Sequence, residues 1–319
     1  MRINHSLAII SLLVFIAIYS CSPEEEDTIL PTAESSAFEE DTTPPITEAA
    51  PFTFEYNLHS SLDKHGYFKD SIQSILPALN NLMPISPYYD SSTKLQINGV
   101  NIYSWIREDV FKPFSSIIGE TEQCICGEVD NHLVMSLEMS EEYDFNDGNN
   151  FKYALLAHEF FHVFQISKSQ GFDQSVFWMI EGQAATIESL YMKEYIKDSN
   201  YLLNFLNQDS LEDGIKNVEE YESYEGFFKS LPQYGDISVF MNLALAKVLQ
   251  EQGNTEKESF LMIFENYWES DPNQANWKTK FEQVFGITIS DFYQRLNDFK
   301  TNPETLIPEI SLSDIFQNN

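Results

Sequence analysis

Apolar residues recur at helical spacing through much of this chain and alternate, strand-like, in a few short stretches. Phe68, Ile72, Ile75, Leu76, Leu79 and Leu82 fall on one helical face, with Pro77 expected to kink the helix. Lys94 to Tyr103 reads as two short strands around Asn98-Gly99, a dipeptide suited to a tight hairpin. From Asn131 to Ser140 the alternation is clean, with Leu133, Met135, Leu137 and Met139 on one face and His132, Val134, Ser136 and Glu138 on the other. The apolar run Tyr153 to Phe164 predicts a helix that starts near Asn149 or Asn150, either of which can cap it, and ends before Gly171. A second helix is expected from about Ser175, carrying Glu181, Ala184, Ala185 and Glu188; its small residues would let it lie close to the first. Ile237, Phe240, Met241, Leu243, Leu245, Val248 and Leu249 predict a third, closing at Gly253. Phe281 to Leu296 reads as a short turn into a last helix capped at Ser290.

The N-terminus departs from this pattern. Arg2 followed by the apolar stretch Leu7 to Ile18 has the form of an export signal, too short for a spanning helix of about twenty residues. Ile18-Tyr19-Ser20-Cys21 resembles the lipobox of bacterial lipoproteins, which implies that Cys21 is diacylated and becomes the mature N-terminus. An ordinary cleaved signal or a single membrane anchor are the alternatives. The acidic run Glu24-Glu25-Glu26-Asp27 is similar to surface-export signals of some Gram-negative lipoproteins, which points to the outer membrane, on the cell surface or the periplasmic face. Residues 22–51 are rich in Ser, Thr, Pro and Glu and contain no Lys or Arg; they bury too little apolar area to offset ordering and are expected to form a disordered tether.

Composition narrows the classes. A hydrophobic fraction of 43% suits a packed core. A formal net charge of −32 repels phosphates and excludes nucleic acid as a direct partner. Cys124 and Cys126 are compatible with a local disulfide or with two small buried residues, and no role is assigned to them.

Candidate chemistry concentrates in His158-Glu159-Phe160-Phe161-His162. On a helix, residues four apart lie about 40° apart around the axis, so His158 and His162 share a face and can grip one Zn2+ ion. Glu159 is then placed to act on a metal-bound water. Two histidines leave the metal short of a protein ligand, and Glu181, in Trp178-Met179-Ile180-Glu181-Gly182-Gln183-Ala184, supplies one. Glu188, seven positions after Glu181, lies on nearly the same face and can accept the N–H of a ligand imidazole.

The spacing H-E-x-x-H-x18-E and the W-x-x-E-G-x-A run resemble the gluzincins, and most of all the M1-type aminopeptidases, over roughly residues 131–296. The resemblance implies an α+β, zincin-like catalytic domain with a small β-sheet, a substrate-pairing edge strand just before the HExxH helix, and zinc bound by His158, His162 and Glu181. Leu231-Pro232-Gln233-Tyr234-Gly235 is similar to the segment whose tyrosine hydrogen-bonds the tetrahedral intermediate in those enzymes, which implies that role for Tyr234. In place of the family's Y-x-x-G, Gly235 directly follows the tyrosine and Ile237 takes the glycine position. The G-x-M-E-N run that anchors a free amino terminus is absent upstream of His158.

The expected organisation is therefore a signal at 1–21, a tether at 22–51, the catalytic domain at 52–207 and a helical subdomain at 208–319 that completes the cleft. The expected activity is hydrolysis of peptide or protein substrates by a zinc metallopeptidase. The alternatives are a zinc hydrolase of non-peptide amides or esters, and a binding or scaffold lipoprotein that keeps the fold. The sequence does not indicate an oligomeric state.

Overall fold

The structure, a computed structural model, describes residues 51–317 except 91–92, 147, 170, 172–175, 207–210, 213, 224 and 227–233, with residues 234–236 described in backbone only. The signal segment, Cys21 and the tether up to residue 50 lie outside the described residues. Among the described residues, no helix is long and apolar enough to cross a membrane.

Helices dominate, and a small mixed sheet stands at the N-terminal side. Strand β1 (Thr53–Leu58) is followed by helix α1 (Gly66–Leu82), which runs unbroken through Pro77 and buries Phe68, Ile72, Leu76, Leu79 and Leu82. Short strands β2 (Tyr88–Tyr89) and β3 (Gln96–Ile97) pair with each other, and β4 (Gly99–Ile106) then lies parallel to β1. A parallel pair needs a long crossover, and α1 provides it. After the one-turn helix α2 (Ser115–Ile118) come β5 (Gln123–Val129) and β6 (His132–Met139), giving the strand order β1-β4-β6-β5 with only β5 antiparallel to its neighbour.

Two expectations about these strands are corrected. Asn98-Gly99 is no hairpin, because β3 and β4 belong to different sheets. Gly99 is required by crowding: a Cβ there would sit 2.3 Å from the Thr53 carbonyl oxygen and 2.7 Å from the His132 ring. The tight turn lies instead at Asp130-Asn131, both at positive φ (52° and 62°), between the paired residues Val129 and His132. Two left-handed residues in a two-residue loop give the turn twist that hairpins favour, and Asp and Asn tolerate that conformation. Strand β6 is also not an edge. It lies between β4 and β5, and the outer position on that side belongs to β5. Its second face is covered too: Val134 packs with Tyr103 and Trp105 under Val110, Phe114 and Ile118, so Ser136 and Glu138 are buried with the rest. The Cys124–Cys126 disulfide forms on β5, where the register shifts between Ile125 and Glu128 and Gly127 takes φ +71°.

Helix α3 (Phe151–Ser169) follows, with the Phe151 N–H capped by Asn149 Oδ1 at 2.8 Å. Fourteen of its residues are buried, as expected of a helix apolar on all sides that runs through the core. Helix α4 (Phe177–Tyr191) packs on α3, and α5 (Tyr234–Glu251) packs on α4. Gly182 serves the second contact. A Cβ there would lie 2.4 Å from both Asn242 Nδ2 and the Ser238 carbonyl, so the small residue admits α5. Helix α6 (Glu256–Leu261) is capped by a Thr255/Glu258 capping box and continues through wider turns to Glu269. Helices α7 (Trp277–Phe285), α8 (Ile289–Phe299) and α9 (Leu312–Phe316) complete the chain. The cap of α8 is Thr288, which accepts the Asp291 N–H, rather than Ser290, and α9 rather than α8 is last. One apolar core runs from Phe52 to Ile315, crossing the expected boundary at residue 207.

Candidate metal centre

Helix α3 brings His158 and His162 to one face, their rings 4.8 Å apart and inclined at 78°. Helix α4 lays Glu181 against both: its Oε2 is 3.4 Å from His158 Nε2 and 3.7 Å from His162 Nε2. All three residues are buried, and one donor atom from each falls within 4.8 Å of the others. Neither histidine contact is a hydrogen bond. His158 Nε2, His162 Nε2, Glu181 Oε1 and both carboxylate oxygens of Glu159 are buried without a hydrogen-bond partner.

That concentration of orphaned atoms tests the fit of a metal. An unpaired buried polar atom costs about 1–3 kcal/mol, more for a charged one, so five in one place need a common explanation. A histidine–carboxylate ion pair would close to about 2.7–2.9 Å, shorter than either contact here. A tetrahedral zinc with bonds of about 2.0–2.2 Å sets neighbouring ligand atoms about 3.3–3.6 Å apart, near the two separations from Glu181. Two imidazoles and a carboxylate are a donor set that zinc accepts, so the residues fit the ion. Nothing in the geometry separates zinc from other divalent metals that take the same donors.

Each of the two imidazoles is held from behind through Nδ1. His158 Nδ1 meets Glu188 Oε2 at 2.7 Å, and Tyr201 donates its hydroxyl to the other Glu188 oxygen at 3.0 Å. His162 Nδ1 meets Gln165 Oε1 at 2.8 Å, and the Gln165 amide nitrogen donates to the Ile180 carbonyl and to Gln183 Oε1. Trp268 Nε1–H also donates to Gln183 Oε1, at 2.7 Å. The electrostatics follow from burial and these neighbours. Burial would lower the His158 pKa, but the carboxylates of Glu181 and Glu188 outweigh it and raise it well above the ordinary value. Burial likewise opposes ionisation of Glu181, yet His162 and His158 hold its carboxyl well below the usual range. Glu159 lacks such close partners, so burial prevails and its pKa rises. Burial and Glu188 push the Tyr201 hydroxyl well above its normal value.

The structure thus brings together five residues singled out from the sequence: His158, Glu159, His162, Glu181 and Glu188. Tyr234 begins α5, but its side chain lies outside the described atoms, as does Cys21. Gln165, Gln183, Tyr201 and Trp268 were missed. Of these only Gln165 left a legible signal, three positions after His162 on the same helical face.

No family model, no curated protein and no solved structure matches the chain.

Proposed function

We propose that this chain is a zinc-dependent metallopeptidase with a zincin-like catalytic fold, carried on an exported lipoprotein anchored through Cys21. The observation that carries the reading is the convergence of unpartnered, buried atoms from His158, His162, Glu181 and Glu159. Zinc held there would polarise a substrate carbonyl and lower the pKa of a coordinated water. His158, His162 and Glu181 would hold the ion. Glu159, whose carboxylate oxygens make no hydrogen bond, is free to take the proton of the attacking water and pass it to the leaving amine nitrogen. Tyr234, at the start of α5, would donate its hydroxyl to the developing oxyanion. An extended peptide joining the sheet would pair with β5, the outer strand beside α3, rather than with β6.

Glu159→Gln tests this reading. The amide keeps the shape and cannot accept the proton, so cleavage of a mixed peptide library should fall by about 100- to 10,000-fold. Zinc content and melting temperature should stay at wild-type values. Cleavage at the wild-type rate would remove Glu159 from the mechanism. A zinc-loaded wild type that cleaves nothing in the library would favour a scaffold, or a hydrolase of other bonds.

A further inference from the structure

We propose that the tautomer of His162 is locked by the Gln165 amide, which is oriented jointly by the Ile180 carbonyl and, from outside both sequence motifs, by the Trp268 indole acting through Gln183. The geometry stands by itself; its consequence for metal affinity rests on the reading of the site as a metal centre.

An indole N–H can only donate. Trp268 is 2% exposed, and its Nε1–H meets Gln183 Oε1 at 2.7 Å, so that oxygen must face the indole. The same oxygen lies 3.3 Å from the Gln165 amide nitrogen, which is also 3.2 Å from the Ile180 carbonyl. Turned over, the Gln165 amide would set its oxygen against two acceptors with no hydrogen between them. The Gln165 oxygen is therefore directed at His162 Nδ1, 2.8 Å away, and an acceptor there requires the proton to sit on Nδ1. A neutral imidazole carries one N–H, so Nε2 keeps its lone pair, on the side facing Glu181.

The other ligand explains why such a lock is needed. His158 Nδ1 faces a carboxylate, Glu188, which accepts in either orientation. An amide has one accepting and one donating end, and a flip at Gln165 would present N–H groups to His162. Gln165 and Gln183 are both buried, so water does not correct the error. Trp268, a residue distant in sequence, fixes the direction of Gln183 and so supplies one of the two acceptors that orient Gln165; the Ile180 carbonyl is the other. It is a positioning residue, which acts on His162 only through Gln183 and Gln165.

The experiment is nitrogen-15 NMR of the metal-free protein in alkaline buffer, with zinc affinity measured by chelator competition. The wild type should carry the His162 proton on Nδ1. Trp268→Phe leaves the Ile180 carbonyl as the only restraint on Gln165; it should admit the second tautomer at His162, leave His158 unchanged, and bind zinc about 2- to 10-fold more weakly. Adding Gln183→Glu to that variant restores an acceptor in either orientation, so tautomer and affinity should recover. A purely structural role for Trp268 would lower the melting temperature in the single and double variants alike, with His162 unmoved. Should Trp268→Phe not fold, Gln183→Met removes the same acceptor and carries the same test. A wild-type His162 protonated on Nε2, or a Trp268→Phe variant with unchanged tautomer and zinc affinity, overturns the lock. A wild type with the expected tautomer that binds no zinc overturns the metallopeptidase reading and leaves the lock standing.

Discussion

Asp90 and Glu128, beside the outer strand, and Glu159 and Glu181, on the central helices, are two pairs of carboxylates drawn into the protein on different terms. Glu128 is half-buried on β5 and accepts the Thr93 hydroxyl at 3.3 Å, with the fully buried Asp90 as its neighbour. Burial first, and then Asp90, raise the Glu128 pKa to about 7, so a proton offsets the repulsion between the two acids. At the candidate metal centre the carboxylate of Glu181 is held ionised by His162 and His158, and the atoms that would share a proton stand too far apart to bond. Two like charges can be reconciled by one proton. Two imidazoles and a carboxylate brought to one point could hold a cation.

The largest way to break that contrast is Glu181→Ala. Bound zinc should drop from one per chain to none by elemental analysis, and chelator should lower the melting temperature of the wild type while leaving the variant unmoved. Retention of stoichiometric zinc would remove Glu181 from the centre. A smaller effect is expected from Glu188→Ala. Without its carboxylate, His158 loses the acceptor at 2.7 Å that orients it, and zinc affinity should fall by about 10- to 100-fold. Tyr201→Phe, which removes only the hydroxyl behind Glu188, should fall between that variant and the wild type.

The smallest effect sharpens the comparison from the other side. Because the folded pKa of Glu128 lies above its ordinary 4.5, the folded state binds the extra proton between 4.5 and about 7. The contribution of this group to stability is therefore greatest below pH 4.5, declines as pH rises to about 7, and is constant above that. Glu128→Gln needs no proton, so it should flatten this part of the melting-temperature profile and raise the alkaline limb by about a few degrees. Its zinc content should match the wild type. A profile parallel to the wild type over that window would show that Glu128 does not hold an extra proton in the folded state.

What could be read from the chain tracks how local each interaction is. His158, His162, Glu181 and Glu188 sit at fixed offsets on two helices, and the apolar run from Tyr153 to Phe164 announces a helix buried on every side. The turn at Asp130-Asn131 was equally local, yet Asn98-Gly99 offered the stronger dipeptide signal. That signal had another cause, since Gly99 answers to the crowding of Thr53 and His132 from neighbouring strands. The alternation in β6 likewise suggested one wet face, because the side chains that cover Val134 come from β4 and the segment after it.

The sequence by itself determined which side chains face one another along α3 and α4, because helical geometry maps spacing onto direction with little freedom. Only the tertiary structure decided what stands behind those side chains. Tyr201 reaches Glu188, Trp268 reaches Gln183, and Gly182 admits α5, each through a contact between segments whose separation in sequence carries no period. The direction of a hydrogen-bonded amide depends on its partner at both ends, and for Gln165 and Gln183 those partners are set by how the helices pack.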